Sequence, residues 1–376
     1  MSLVYFHRLG AFATLLCANI SSPAQGQTYG LAQRPTVGAY YDSTFPPEPP
    51  PVPANWSTVE AFPGLSFLNP VGLTPVPGTN KLVVWEREGK IWVFDNNPAV
   101  TTKTLVVDLS GQCQGWDDSG LLGVTLHPNF ATNRQMFVWY NWRGGVTGGA
   151  GDLGPVLGNA NAHPPADTPS RNRLSRFVLD ANHQTTLGGE YVVIDQKDYS
   201  VWHNGGGMFF HPQNGFLYIT NGDDSNPGLN TQRIDRSLFS CVIRIDVEQR
   251  GGAISHAPTR RPFGEVSPTW PRYFVPNSNP FVGQPNALEE IYAIGLRSPH
   301  RMTLDAVTGR IFIGDVGGGS REEISVIEPN DPPGLNFQWA RIEGNGAKSG
   351  SSRSRQAAPS ASSLRANGPS RRGAFL

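Results

Sequence analysis

The sequence predicts a secreted all-β protein of the propeller kind. Three observations carry this: an excess of turn-forming residues, a strand–turn–strand phrase that recurs four times, and no sustained helical periodicity between the copies. Gly (43) and Pro (33) make about a fifth of the 376 residues, well above the usual share. Both residues punctuate turns, so the excess favours many short strands over long helices.

The repeat begins at Gly72-Leu73-Thr74, which leads through the turn Pro77-Gly78-Thr79-Asn80 to Leu82-Val83-Val84-Trp85. It recurs as Gly123-Val124-Thr125-Leu126-His127-Pro128 before Met136-Phe137-Val138-Trp139-Tyr140. A third copy runs from Gly207-Met208-Phe209-Phe210-His211-Pro212 through Asn214-Gly215 to Phe216-Leu217-Tyr218-Ile219. The fourth joins Arg301-Met302-Thr303-Leu304-Asp305 to Ile311-Phe312-Ile313 across Thr308-Gly309. Each copy pairs two apolar segments rich in β-branched and aromatic residues. The wide, unequal intervals suit blades of about four strands with elaborated loops better than a regular solenoid. A β-sandwich would not need the internal echo.

Flanking segments read differently. Residues 1–26 have the anatomy of an export signal: His7 and Arg8, an apolar run from Leu9 to Leu16, and a small-residue cleavage site at Ala24-Gln25-Gly26. That run is too short to span a bilayer, so no transmembrane segment is expected and the location is secreted or periplasmic. Thr14-Leu15-Leu16 are not the small residues that precede a lipidated cysteine, so no anchor is expected at Cys17. Residues 27–61 form a Pro-rich arm, 62–346 the propeller, and 347–376 a basic, Ser-rich tail without a strand pattern, expected to be disordered. Arg143 to Arg171 and Gly251 to Pro271 read as exposed excursions. Lys plus Arg equals Asp plus Glu at 30 each, which leaves no electrostatic footprint for nucleic acid. Cys113 and Cys241 could form one disulfide if they meet, and are too few for a Cys-based zinc site.

Among the histidines, His127 and His211 occupy the same place in two repeats, each before a proline, and read as turn residues. His203 differs. It lies in Trp202-His203-Asn204-Gly205-Gly206-Gly207, where glycines let a ligand approach the backbone; it is either a base or a satisfied histidine at a strand entrance. In Gly295-Leu296-Arg297-Ser298-Pro299-His300-Arg301 an inward arginine would need an anionic partner, from a ligand or from the protein. Gly314-Asp315-Val316-Gly317-Gly318-Gly319-Ser320, with Glu322 and Glu323 behind it, could turn backbone carbonyls towards a hard cation or be an ordinary turn. Gly222-Asp223-Asp224 reads by default as a solvated acidic turn.

Taken together, these segments resemble the soluble quinoprotein glucose/sorbosone dehydrogenases, from about Phe62 to Gly344. The strongest stretches are Ser119-Gly120-Leu121-Leu122-Gly123 with His127-Pro128, His203-Asn204-Gly205-Gly206, Asn279-Pro280-Phe281-Val282-Gly283, Glu290 to Arg297, and Gly314-Asp315-Val316-Gly317 with Glu322-Glu323. The resemblance implies a six-bladed propeller using pyrroloquinoline quinone and calcium to oxidise a sugar or related alcohol, with an external electron acceptor. It makes His203 the general base, Arg297 and Ser298 cofactor contacts, Asp118 and Asp223 substrate contacts, and the carbonyls of Gly317 and Gly318 calcium ligands. Ser298 departs from the usual Asn of the family. The family's later blades are replaced here by the basic tail, so the expected fold is a propeller incomplete at its C-terminus. The competing functions are a non-catalytic secreted propeller that binds a protein or glycan, and a calcium-dependent propeller hydrolase.

Overall fold

The computed structural model describes residues 58–113, 118–143, 170–184, 186–319 and 321–344 in full, and the backbone alone at 4–8, 56–57, 346–347 and 374–375. Four antiparallel meanders follow one another along the chain. Blade 1 holds β1 (Pro70–Pro75), β2 (Lys81–Glu86), β3 (Lys90–Asp95) and β4 (Thr104–Asp108). Blade 2 holds β5 (Leu121–Leu126), β6 (Gln135–Trp142), β7 (Ser170–Val178) and β8 (Tyr191–Asp198). Blade 3 holds β9 (Met208–Phe210), β10 (Leu217–Asn221), β11 (Cys241–Ile245) and β12 (Ile291–Ile294). Blade 4 holds β13 (Pro299–Leu304), β14 (Ile311–Asp315), β15 (Glu323–Ile327) and β16 (Ala374–Phe375). First strands of consecutive blades lie against each other, as radial packing requires. Among the described residues these blades correspond to the four repeats of the sequence.

Blades 2 and 3 are buried on both faces, which explains why their middle strands read as unbroken apolar runs, whereas the strands of blade 4 alternate between buried and partly exposed residues. Alternate residues serve opposite neighbours. On β6, Met136, Val138 and Tyr140 enter the core shared with blade 1, whereas Phe137 and Trp139 enter the core shared with blade 3. On β10 and β11, Ile219 and Ile243 face blade 2, while Tyr218 and Val242 face blade 4. A β-bulge recurs near the start of the first strand: Pro70 faces Glu86 but Gly72 faces Trp85, Leu121 faces Tyr140 but Gly123 faces Trp139, and Pro299 faces Asp315 but Arg301 faces Gly314. The bulge leaves Val71, Leu122 and His300 unpaired at the inner edge of their blades.

His127 and His211 are turn residues, as expected: their Nδ1 atoms accept the N–H of Asn129 (3.0 Å) and of Gln213 (3.3 Å). The structure settles the cysteine question and corrects the reading of residues 251–271. Cys113 and Cys241 are buried in different cores as free thiols, and burial pushes both their pKa values up. Residues 251–271 are no loose excursion: Ser255–His256 pairs with Val275–Pro276, and the buried Glu265 carboxylate accepts the N–H of Asp195 on β8 at 2.9 Å. Its burial among polar partners, rather than apolar periodicity, orders the segment, and polar partners leave no period to read. Within the tail, Gly346–Ala347 pairs with Ile342–Glu343, and β16 pairs with β15 through Glu323↔Phe375 and Ile324↔Ala374. The outer edge of β15 offers unpaired backbone groups, and a two-residue stretch suffices to meet them. The rest of the tail, the segment 144–169 and most of the expected signal and arm lie outside the described residues; Val4–Arg8 pairs there with Trp56–Glu60.

In an antiparallel meander the loop after the second strand and the loop before the next blade's first strand emerge at the same end. The chain uses that end for all its candidate residues. Asp118 precedes β5, His203 precedes β9, Asp223 follows β10, Arg297 and Ser298 precede β13, and Gly317 and Gly318 follow β14.

Candidate active site

His203 and Asp223 form the centre of this face. The His203 Nδ1 lies 2.6 Å from Asp223 Oδ1, and the other oxygen, Oδ2, accepts the indole N–H of Trp339 at 2.7 Å. Asp223 is fully buried, and its backbone N–H donates to the carbonyl of Arg297 at 2.8 Å. A carboxylate at Nδ1 fixes the proton there, so Nε2 carries the lone pair, and the side chain remains partly open to solvent. The arrangement is a histidine held in one tautomer by a buried carboxylate, the geometry of a general base.

Unusual backbone supports it. His203 (φ 63°), Asp224 (φ 55°), Ser225 (φ 51°) and Gln338 (φ 71°) all lie in the left-handed region, which residues with a side chain seldom enter. Gly222 is needed for the approach of two loops: a Cβ there would collide with the carbonyl oxygen of His203 and stand 2.7 Å from that of Arg297. This explains a glycine before the aspartates better than a solvated turn does.

Asp118 is half-buried, and its Oδ2 accepts the backbone N–H of His203 at 3.2 Å, so carboxylates meet both the backbone and the ring of this histidine. Arg297 lies with its guanidinium 5.5 Å from the centre of the Trp339 ring and donates to the carbonyl of Val316 at 3.0 Å. It has no carboxylate partner among the described residues, so the cation is available to an anionic group. Ser298 is buried. Its N–H donates to Asp315 Oδ1 at 2.6 Å and its carbonyl accepts from Val316 at 3.1 Å, which ties the Arg297 loop to blade 4.

The glycine loop after β14 is organised by a side chain far along the chain. The N–H groups of Gly318 (2.6 Å), Gly319 (3.0 Å) and Arg321 (3.3 Å) converge on Glu343 Oε1. In a trans peptide the C=O and N–H point in opposite directions. The carbonyls of Gly317 and Gly318 therefore point away from Glu343. Nearby Asp315 has its pKa pushed up to about 7: burial dominates, the N–H groups of Arg297 and Ser298 oppose it, and the charges of Glu323 and Asp223 add to it. A loop with two carbonyls on one side and carboxylates around it fits a hard divalent cation, and an unpaired arginine fits an anionic quinone. Among the described residues no group of three or more acidic, histidine or cysteine side chains could hold a metal ion.

Trp339 and Glu343 belong to the site and were not singled out in the sequence; Asp315 and His300 lie inside segments that were, but received no role there. His300, at the bulge of β13, is largely buried; burial and the Arg301 charge lower its pKa, against the charge of Asp118. Only the bulge, invisible without the pairing, marks it.

The sequence profile of the Glucose / Sorbosone dehydrogenase family matches residues 67–365. The chain belongs to this family. Among curated relatives, the HIPL2 protein of Arabidopsis thaliana is 27% identical over 307 residues, which cover 74% of this chain and 42% of the relative. The human Hedgehog-interacting protein is 25% identical, over 69% of this chain and 34% of its own length. The aldose sugar dehydrogenase YliI of Escherichia coli K12 is 23% identical, over 72% and 58%. The chain thus spans about half the length or less of the first two relatives and somewhat more of the third. A solved oxidoreductase of Thermus thermophilus, described as a glucose dehydrogenase, superposes with a TM-score of 0.51 at 24% identity, covering 75% of this chain and 68% of that one. A glucose dehydrogenase crystal structure gives 0.52 at 20% identity, over 73% and 64%. Both likenesses establish the propeller fold of the family.

Proposed function

We propose that the chain is the His203-bearing part of a dehydrogenase that oxidises a sugar or related alcohol with pyrroloquinoline quinone and calcium. The buried His203–Asp223 pair carries this reading, because a structural histidine needs no carboxylate shared with an indole. His203 Nε2 takes the proton of the substrate hydroxyl, while Asp223 holds the ring and stabilises its charged form. Asp118, half-buried beside the His203 backbone, receives substrate hydroxyls. Asp223 has no exposed atom for that task, and its role is positioning. Arg297 meets the anionic cofactor, Ser298 holds the Arg297 loop, and the carbonyls of Gly317 and Gly318 ligate calcium. When bound, the quinone with its metal supplies the acceptor for the hydride that leaves the substrate carbon, and an external acceptor later removes the electrons.

A second reading, a non-catalytic propeller that binds a protein, is supported by the relatives named Hedgehog-interacting protein. The two separate at His203. In the quinone- and calcium-loaded protein, His203→Ala is expected to lower sugar-dependent dye reduction by about 10²–10⁴-fold with quinone affinity retained. Unchanged turnover in that variant removes His203 from the chemistry and leaves the binding reading in place.

A further inference from the structure

Beside the dyad, between blades 2 and 3 on the same face, lies a cleft of about 530 Å³, a size typical of small-ligand sites. Its walls come from the ends of β8 and β10 and from the ordered 251–271 segment, so three separate stretches of chain build it. Tyr199, Leu229 and Phe263 line it with exposed apolar surface, 63%, 47% and 52% accessible. Three such side chains around one cavity, with polar Asn226 and Ser225 between them, suit the alternating C–H faces and hydroxyls of a sugar ring.

Two features give the cleft a charge pattern. On one wall Arg236 lays its guanidinium over Phe263, 4.2 Å from the ring centre, and makes no ion pair among the described residues. A planar cation held flat by an aromatic ring loses little freedom on pairing with a carboxylate or phosphate. On another wall Asp224 is buried and hydrogen-bonds to Asp198, whose Oδ2 accepts from Ser170 at 3.0 Å. Burial and the neighbouring carboxyl raise the pKa of Asp224 well above the ordinary value, so this wall disfavours a second negative charge. An anion in the cleft therefore meets a guanidinium with no ion pair among the described residues and, on another wall, a carboxyl whose charged form is disfavoured.

We propose that this cleft binds an anionic sugar, its charged group on Arg236 and its ring against Tyr199 and Leu229. The site is independent of the oxidation step and does not use His203.

Calorimetric titration of the full chain with D-glucuronate, D-glucose 6-phosphate and D-glucose tests it. At least one anionic sugar should bind tenfold or more tightly than glucose. Arg236→Gln should bring that affinity down to the glucose level, Arg236→Lys should fall between, and Tyr199→Ala should weaken binding about three- to tenfold. The first anionic ligand to bind also distinguishes a carboxylate from a phosphate as the preferred group. His203→Ala should bind as the wild type does, so failure of the oxidation reading does not touch this one. Equal affinity for glucose and both anions, no binding of any of the three at millimolar concentration, or an Arg236→Gln protein that keeps its preference overturns the proposal; the first two outcomes need no variant to fold.

Discussion

Asp223 and Asp224 are adjacent in sequence, share one loop, and are both buried, yet they serve different regions of the face. Asp223 turns to donors: the His203 imidazole, the Trp339 indole and the N–H of Ser225 at 3.0 Å. Asp224 turns to another acid, Asp198, with one backbone donor, the N–H of Tyr199 at 3.1 Å. Donors around a carboxylate favour its charged form, whereas burial against a second carboxyl disfavours it, and the pKa of Asp224 is raised well above the ordinary value. Local sequence is nearly the same for both; the partners supplied by other loops decide the charge. The first region can hold a proton acceptor in place, and the second can receive a ligand.

Removing the charge from each aspartate separates them. Asp223→Asn should have the largest effect. The amide cannot hold the Nδ1 proton as the carboxylate does, and the tautomer is free to invert. A fall in kcat of about 10²–10⁴-fold is expected in the quinone- and calcium-loaded protein, with KM little changed. Steady-state kinetics decide it: a loss confined to KM would make Asp223 a substrate contact after all.

A third buried carboxyl sharpens the contrast. Glu290 sits in blade 3 with Tyr273 O–H donating to Oε1 at 2.7 Å, while Oε2 has no partner. Burial raises its pKa to about 7, with the charges of Glu289 and Glu265 adding to the effect. Because the folded value exceeds the unfolded one, the proton favours the fold. That contribution is fully present below the unfolded pKa of about 4.3 and is lost as pH rises to about 7. Glu290→Gln should therefore matter little at pH 4 and stabilise by on the order of 1–3 kcal/mol at pH 8. Denaturant melts at both values check this, and equal shifts at pH 4 and pH 8 would refute the assignment.

The smallest effect is expected at Asp224. Its folded pKa is also raised, so its contribution is present at low pH and disappears as pH climbs through the folded value. Asp224→Asn places a permanent N–H donor against Asp198 and keeps an oxygen for Tyr199. At neutral pH the variant should be as stable as the wild type or up to about 1 kcal/mol more stable. Its dependence on pH should be flatter. Thermal melts between pH 4 and 8 test this, and a loss of stability at pH 7 would refute it.

Much of this protein is written in local order. The runs Met136 to Tyr140 and Leu217 to Ile219 announce strands buried on both faces, since every residue must satisfy one neighbour or the other. The Gly-rich entrance to β9 points to His203 without any pairing information. What only the tertiary structure decided is which side chains meet. Asp223 lies 20 residues from His203 and 116 from Trp339, and no spacing in the sequence links the three. Glu343 organises a loop 24 residues upstream, and Cys113 and Cys241 are kept apart by belonging to different cores. Strand periodicity is set by the backbone of one segment alone, whereas the partner of a loop carboxylate depends on how whole blades pack, and that is not encoded at any single stretch of chain.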